Sequence, residues 1–423
     1  MSRIIEYFKM ELDWYFYDYG KNVNGDTESR ISFLYEPPKP TLKERMRPYY
    51  RPLRRLLYTA FRYFKGCNDV KTAPIIFDGP HKKVLSYEYH SDQVRLKFAE
   101  KNIEVVFWGD LLKNGNRVAK QVREFQDSLA NLPFNDRLQK GRYKVIDELI
   151  QLCQDEFREY SGLFTMVDAY FEQKLLIDVF KSLHIPTYVF LHGLPGIYLT
   201  ENKRADYLLV WGEKIRDGFV HVGFDPQKVL VTGNTEYLSI PHSTTLRNSL
   251  DDILVLTTST VHSQMHGWDW KSFRISDRSL LITYIYSVEK VLKSFGVKKA
   301  RLRPHPMNNY YWLKRFIDND FYELDYLGLN ESLQKATLAI GPTSSTFLQA
   351  LMMGVTYLIY EPGSEGYNLA GGQLVPPFDG SDPKLQVAFN EEDLINLIKI
   401  HYTNDVSILD DYIVPFTLDN VPL

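Results

Sequence analysis

Three observations predict an α/β protein made of two doubly wound, Rossmann-like halves facing a central cleft, with a basic arm ahead of them. Short β-rich runs alternate with longer stretches of helical periodicity, the pattern that builds parallel sheets covered by helices. A polar stretch at 239–252, containing Pro241, interrupts that alternation near the middle of the chain. At roughly 150 residues per domain, a chain of 423 residues also requires more than one core.

In the first half, strands are predicted at 83–90, 102–109, 162–170, 186–193, 206–212 and 228–234, each followed by a helical stretch or a Gly/Pro turn. The segments 112–132 and 137–157 carry apolar residues at helical spacing and are read as helices. In the second half, strands are predicted at 252–260, 299–306, 321–326, 337–342 and 356–363, separated by helix-like stretches at 278–295 and 344–354. The resulting organisation is an arm over 1–75, a first Rossmann-like domain over 76–240, a second over 251–405, and a tail over 406–423.

Composition narrows the function. Fifty Lys/Arg against 53 Asp/Glu leave a net charge of −3, which supplies no global field for nucleic acid. Two cysteines exclude a disulfide framework and a Cys-rich metal site and suit a reducing compartment. The N-terminus lacks the apolar core of a secretory signal, and no apolar run approaches the roughly 18 residues of a membrane span. A cytoplasmic protein is expected. Within 41–66, eight Lys/Arg face one Glu among Tyr, Phe and Leu residues, so this segment either lies on an anionic inner-membrane surface or packs over the first domain.

Ligands of open parallel sheets bind outside the carboxyl ends of the strands, so candidate residues are sought there. In the second half Arg303-Pro304-His305-Pro306 ends one predicted strand and Gly341-Pro342-Thr343-Ser344-Ser345-Thr346 ends another. Ser344, Ser345 and Thr346 would open a helix whose N–H groups and hydroxyls attract phosphate. His305 would reach the same phosphate or a ribose, and Arg303 would add charge; alternatively Ser344 caps the helix and His305 is a turn residue. Thr257-Thr258-Ser259-Thr260 follows the first strand of this half and offers further hydroxyls, with Thr258 and Ser259 best placed. Glu361 is positioned for a ribose hydroxyl pair or is a surface carboxylate.

In the first half, Asp110, Asp168, His192 and Asn234 stand at predicted strand ends. One of them is expected to act as acid, base or nucleophile, with helix capping as the alternative for the two aspartates. His262 and His266 lack the third ligand a zinc site needs, and His266 is read as a hydrogen-bonding or acid/base group beside the cleft. Asp318-Asn319-Asp320 precedes a strand and is read as a loop pointing away from the cleft. No P-loop, dinucleotide fingerprint or GxSxG elbow is present.

On these residues the chain resembles two-domain GT-B glycosyltransferases of bacterial surface-polysaccharide assembly. The segment ADYLLVWGEKIRDGFVHVGFDPQKVLVTGNTEYL (205–238) is similar to the end of their first domain, and RPHP followed by GPTSST resembles the motifs that hold CMP in GT-B sialyltransferases and bacterial Kdo transferases. The resemblance covers about residues 80–400, and it is nearest to the β-Kdo transferases of capsule and O-antigen (lipopolysaccharide) synthesis. It implies a CMP-Kdo or CMP-sialic acid donor, a polysaccharide or glycolipid acceptor, and no metal or other cofactor. Arg303, His305, Pro306, Ser344, Ser345, Thr346, Thr258, Ser259 and Glu361 would then hold the donor. Retention would require a carboxylate nucleophile where this chain has Thr232-Gly233-Asn234-Thr235-Glu236, so the role passes to Asp168 or Glu236. In an inverting enzyme Asp168 or His192 would deprotonate the acceptor. The alternatives are a CDP-glycerol or CDP-ribitol polyol-phosphate transferase, a UDP-sugar 2-epimerase and a non-catalytic glycan-binding protein.

Overall fold

The computed structural model describes residues 75, 77, 79–130, 140–168, 170–194, 204–240, 242–258, 279–305, 313–314, 317–362, 366, 368–369 and 374–423. The basic arm, and with it the 41–66 segment, lies outside the described residues.

The first half runs β1 (Lys82–Ser86), α1 (Asp92–Ala99), β2 (Ile103–Phe107), α2 (Trp108–Lys113), α3 (Arg117–Ala130), α4 (Lys140–Phe157), β3 (Gly162–Thr165), α5 (Phe171–Ser182), β4 (Thr187–Phe190), β5 (Tyr207–Val210), α6 (Glu213–His221) and β6 (Val229–Val231). A 3₁₀ turn over Thr235–Ser239 ends it. The second half runs β7 (Ile253–Leu256), α7 (Ser279–Ser294), β8 (Ala300–Arg303), β9 (Tyr322–Leu324), α8 (Leu329–Lys335), β10 (Leu338–Gly341), α9 (Thr346–Met352), β11 (Thr356–Tyr360), β12 (Val387–Ala388), α10 (Glu391–Lys399) and α11 (Ile408–Tyr412).

Each half folds on a six-stranded sheet, ordered β2-β1-β3-β4-β5-β6 and β12-β11-β10-β7-β8-β9. Every strand pairing is parallel. Strands β3, β4, β7, β10 and β11 are buried at every position, because helices cover both faces of a parallel sheet. That is why they read as unbroken apolar runs such as LAIG and ILVL. The expected fold class is therefore present: two Rossmann-like α/β halves.

Strand order also locates two crevices. In the first sheet β2 lies on one side of β1 and β3 to β6 on the other, so the winding reverses between β1 and β3. In the second it reverses between β7 and β10. Helices on either side of such a reversal diverge, and the gap they leave at the carboxyl ends is where ligands enter.

Several contacts among the described residues join the halves. One apolar cluster runs through both, bringing Val189, Val210 and Trp211 together with Phe347, Leu348 and Tyr357. The polar stretch after the 3₁₀ turn is welded to the second half: the Arg247 guanidinium donates to the carbonyls of Gly354 (3.2 Å), Gln334 (2.5 Å), Leu333 (3.1 Å) and Met353 (3.1 Å). Its polarity thus reflects carbonyl capping and not a loose tether.

Finally, the tail beyond α11 returns to the first half. Val414 N–H donates to the Trp211 carbonyl and Thr417 N–H to that of Thr232, both at 2.8 Å. Phe416, Leu418 and Val421 then bury themselves against Val84, Phe98, Phe164 and Tyr188. Gly233 permits this crossing, since it has φ +82° and a Cβ there would strike the backbone of Val414 and Phe416.

Candidate functional site

The second crevice gathers the three hydroxyl- and imidazole-bearing turns singled out in the sequence. Strands β8, β7 and β10 are consecutive in the sheet, so the turns leaving them are neighbours. The backbone N–H of His305 donates to Thr257 Oγ1 at 2.9 Å, tying the β8 turn to the β7 turn. His305 is half-buried, and that burial lowers its pKa below the ordinary histidine value. It is therefore a neutral imidazole at pH 7, able to donate from one nitrogen and accept at the other. Thr258 is half-buried beside it.

The β10 turn is held from beneath. Glu361, at 1% exposure, follows β11 and accepts the N–H groups of Thr343 and Leu369. Burial raises its pKa, while the two backbone donors pull it down. Both carboxylate oxygens are thus engaged in shaping the turn, in place of the ribose contact the sequence suggested. The Tyr357 hydroxyl donates to the Pro342 carbonyl at 2.8 Å. Gly341 is glycine because a Cβ would run into that tyrosine, a packing reason and not the anion approach expected.

Ser344 Oγ accepts the N–H of Thr346 at 3.2 Å and donates to the Thr346 hydroxyl at 3.1 Å. It behaves as the local cap weighed in the sequence. Ser345 and Thr346 are half-buried at the opening of α9.

Arg303 is used differently from its expected part in donor binding. Its guanidinium donates to the Leu327 carbonyl (2.5 Å) and Ser332 Oγ (3.1 Å) and lies 3.5 Å from Asp325. Asp325, with no exposed side chain, also takes Arg301 at 2.5 Å. Arg303 therefore belongs to an ion-pair network under the β8–β9 edge. Asp318 Oδ1 accepts the N–H groups of Asp320 and Phe321 and its carboxylate pairs with Lys293, as a loop-forming residue does. Ser259, Pro306, His262 and His266 lie outside the described residues.

Around the first sheet the candidates are scattered. Asn234 Oδ1 accepts the Glu236 N–H at 2.8 Å and caps the 3₁₀ turn, which gives its side chain a structural task. Glu236 is exposed on that turn, and His192 is exposed beyond β4. Asp110 lies within α2 and accepts the Tyr89 hydroxyl at 2.8 Å. Asp168, 1% exposed, accepts the Arg204 N–H at 2.9 Å, and burial pushes its pKa up to about 6.

One group escaped the sequence reading. Glu88, in the turn after β1, reaches across the first crevice to the end of β3. One oxygen accepts the Met166 N–H at 2.9 Å. Gln173, in the first turn of α5, and Thr165 also hydrogen-bond to this carboxylate, Thr165 at 3.5 Å. Burial pushes the Glu88 carboxyl up to about 7, against the pull of those donors.

The turn carrying Glu88 is pinned on both sides. The Tyr87 hydroxyl donates to Glu172 at 2.5 Å, and Glu172, 0% exposed, is gripped by Arg123 at 2.6 and 2.9 Å. His90 Nε2 lies 3.0 Å from Ser86 Oγ and its ring packs edge-on to Phe190. Burial drops the His90 pKa to about 4, so this imidazole stays neutral.

The two halves meet beside the second crevice, where the Tyr237 hydroxyl of the 3₁₀ turn donates to the Ser345 carbonyl at 3.1 Å. Among the described residues, no helix is long and apolar enough to cross a membrane.

No protein-family model matches the chain, and the curated proteins contain no significant match to it. Solved structures with a similar chain course include UDP-N-acetylglucosamine 2-epimerase from Rickettsia bellii, at 12% identity and a TM-score of 0.44, covering 81% of this chain and 94% of that one. The UDP-GlcNAc 2-epimerase from Neisseria meningitidis, bound to UDP-GlcNAc, is 13% identical with a TM-score of 0.42, covering 78% and 95%. Anabaena HepE in complex with UDP and glucose is 10% identical with a TM-score of 0.40, covering 76% and 89%.

Proposed function

We propose that the chain is a GT-B-type, nucleotide-sugar-dependent glycosyltransferase that takes a CMP-activated acid sugar, Kdo or sialic acid, to a hydroxyl of a surface polysaccharide or glycolipid. The observation that carries this reading is the convergence of the Thr257–Thr258, His305 and Ser344–Thr346 turns at the reversal point of the second sheet. Hydroxyls, backbone N–H groups and a neutral imidazole are donors suited to the charge that gathers on one departing phosphate. In transfer, the acceptor oxygen attacks the anomeric carbon, the bond to the phosphate oxygen breaks, and the electron pair leaves with CMP. Glu361 lies buried beneath the turn, which it shapes through two N–H groups, and does not present itself on the crevice surface.

A second reading is favoured by a different observation. Glu88 and Asp168 both hold their protons unusually tightly, and an epimerase that inverts a carbon beside the anomeric centre needs proton-exchanging groups. A UDP-sugar 2-epimerase would use them so.

Calorimetric titration of the protein with CMP, CDP, UDP and GDP tests both. Selective binding of CMP, weakened at least tenfold by His305→Ala, supports the transferase. UDP selectivity moves the assignment to the epimerase, and no binding of any nucleotide overturns both.

A further inference from the structure

We propose that Glu88 is the general base of the transfer reaction, the group that takes the proton from the acceptor hydroxyl as that oxygen attacks the sugar. The inference rests on the transferase reading and names the part of the first half that serves it.

Three independent features point to Glu88. The first is place: it stands where the strand order of the first sheet reverses, bridging the ends of β1 and β3, the position at which open parallel sheets receive ligands. The second is fixation. The turn is anchored by Tyr87 to the Arg123–Glu172 pair, by Gln173 to α5 and by the Ser86–His90 contact to the end of β1. A base must be held at hydrogen-bond reach of the proton it removes, and this turn has little freedom to move. The third is chemistry. Three neighbouring donors reach its carboxylate: the Met166 N–H at 2.9 Å, the Gln173 side chain, and the Thr165 hydroxyl, the last of them long at 3.5 Å. Thr165 spends its proton more closely on the Val167 carbonyl, at 2.7 Å. With about four acceptor sites on its two oxygens, the carboxylate can take an incoming hydroxyl in place of this weakest contact.

The other first-half candidates are less suited. Asp168 is almost wholly enclosed and takes a backbone N–H. Asn234 caps a turn and has no titrating proton. His90 is walled in by Phe107 and Phe190.

The step balances. The acceptor O–H gives its proton to the Glu88 carboxylate, its oxygen forms the new glycosidic bond, and the sugar–phosphate bond releases CMP with the electron pair. The titratable and charged groups around this turn are Tyr87, Tyr89 and His90 on the turn itself, Asp110 and Lys113 on α2 against Tyr89, Arg123 on α3, Glu172 and Lys174 on α5 and Asp168 after β3. Arg123 and Glu172 neutralise one another.

The test compares wild type with Glu88→Gln and Glu88→Asp. The CMP dissociation constant is measured by calorimetry, and CMP release from CMP-Kdo and CMP-N-acetylneuraminate is followed with water or lactose as acceptor. The expected result is wild-type kcat/KM rising with pH through an inflection near 7 and then levelling. Glu88→Gln loses on the order of 100-fold or more in kcat and loses the inflection, with CMP affinity within about twofold of wild type. Glu88→Asp recovers part of the rate. Turnover by Glu88→Gln within threefold of wild type, or an unchanged pH inflection in that variant, overturns the assignment while leaving the nucleotide site intact. Wild-type protein that binds CMP yet releases it from neither donor overturns it as well. Wild-type protein that binds no CMP overturns the transferase reading itself. The pH profile of wild type keeps the proposal falsifiable even if a Glu88 variant fails to fold.

Discussion

The Tyr237 hydroxyl donates to the Ser345 carbonyl across the junction of the two halves, at 3.1 Å. Tyr237 is only 7% exposed and packs on Trp211, so the bond has little competition from water. It sets the peptide between Ser345 and Thr346, whose N–H groups and hydroxyls form the proposed donor turn, at a fixed height above the first sheet.

Tyr237→Phe should therefore act on stability and on binding together. Loss of one intramolecular hydrogen bond costs about 1 kcal/mol, read as a shifted urea midpoint. Nucleotide affinity should fall by roughly threefold to tenfold, about 0.7–1.4 kcal/mol on the usual affinity scale, because the turn is no longer pre-set. Unchanged affinity in a measurably destabilised variant would separate the junction from the site.

Arg303 invites the opposite expectation. Its guanidinium faces Asp325, Ser332 and Leu327, so Arg303→Ala should lower stability and leave CMP affinity within about threefold. Asp325→Ala is the harsher change: it strands Arg301 and Arg303 beneath the β8–β9 edge, and breaking such a pair costs about 3–5 kcal/mol. Chemical denaturation of both variants, alongside nucleotide titration, checks the division of roles. A tenfold loss of CMP binding in Arg303→Ala at unchanged stability would return that residue to the site.

The network was readable in principle. Arg301 and Arg303 are two residues apart on a strand and so share one face, while Ala300 and Leu302 take the buried one. Strand existence was legible for eleven of the twelve described strands, because most parallel, doubly covered strands are continuous apolar runs. Their ends were not. The run 83–90 stays aromatic beyond Ser86, where the ladder stops, so Glu88 and His90 were hidden inside a predicted strand, and beside the first crevice the sequence pointed to Asp168 instead. Strand β12 has two residues, too few for any periodicity. For the candidate site, sequence order brought out the turns at His305 and Ser344, but which carboxylates face a ligand depends on long-range partners such as Thr343 for Glu361. No local pattern encodes those.

Gly341 is a tightly packed point of the proposed donor turn. Gly341→Ala would place a methyl against the Tyr357 ring and 3.1 Å from Leu256 Cβ. Overpacking a buried position costs typically about 1–3 kcal/mol, and Tyr357 can yield only by giving up the Pro342 carbonyl. The expected outcome is a lower Tm together with weakened CMP binding. A variant as stable as wild type would mean that the turn relaxes more easily than its packing implies.

Glu88 makes a prediction about stability that is separate from catalysis. Its carboxyl titrates at about 7 in the fold against an ordinary 4.5, because burial disfavours the charged form. The native state therefore binds the proton more tightly than the unfolded chain. Its contribution is fully present below pH 4.5, declines as pH rises toward 7, and is constant above that. At about 1.4 kcal/mol per pH unit, the whole decline is at most about 3.5 kcal/mol, less to the extent that water reaches the half-buried group. Glu88→Gln, neutral at every pH, lacks this slope. Asp168 shifts in the same sense, up to about 6, but is present in both proteins and cancels in the comparison. The stability of wild type minus that of Glu88→Gln, taken from urea unfolding between pH 4.5 and 8, should fall across this range and flatten above pH 7. A difference that is constant with pH would place the Glu88 carboxyl in ordinary contact with water, and a base poised near neutrality could not then be assigned to it.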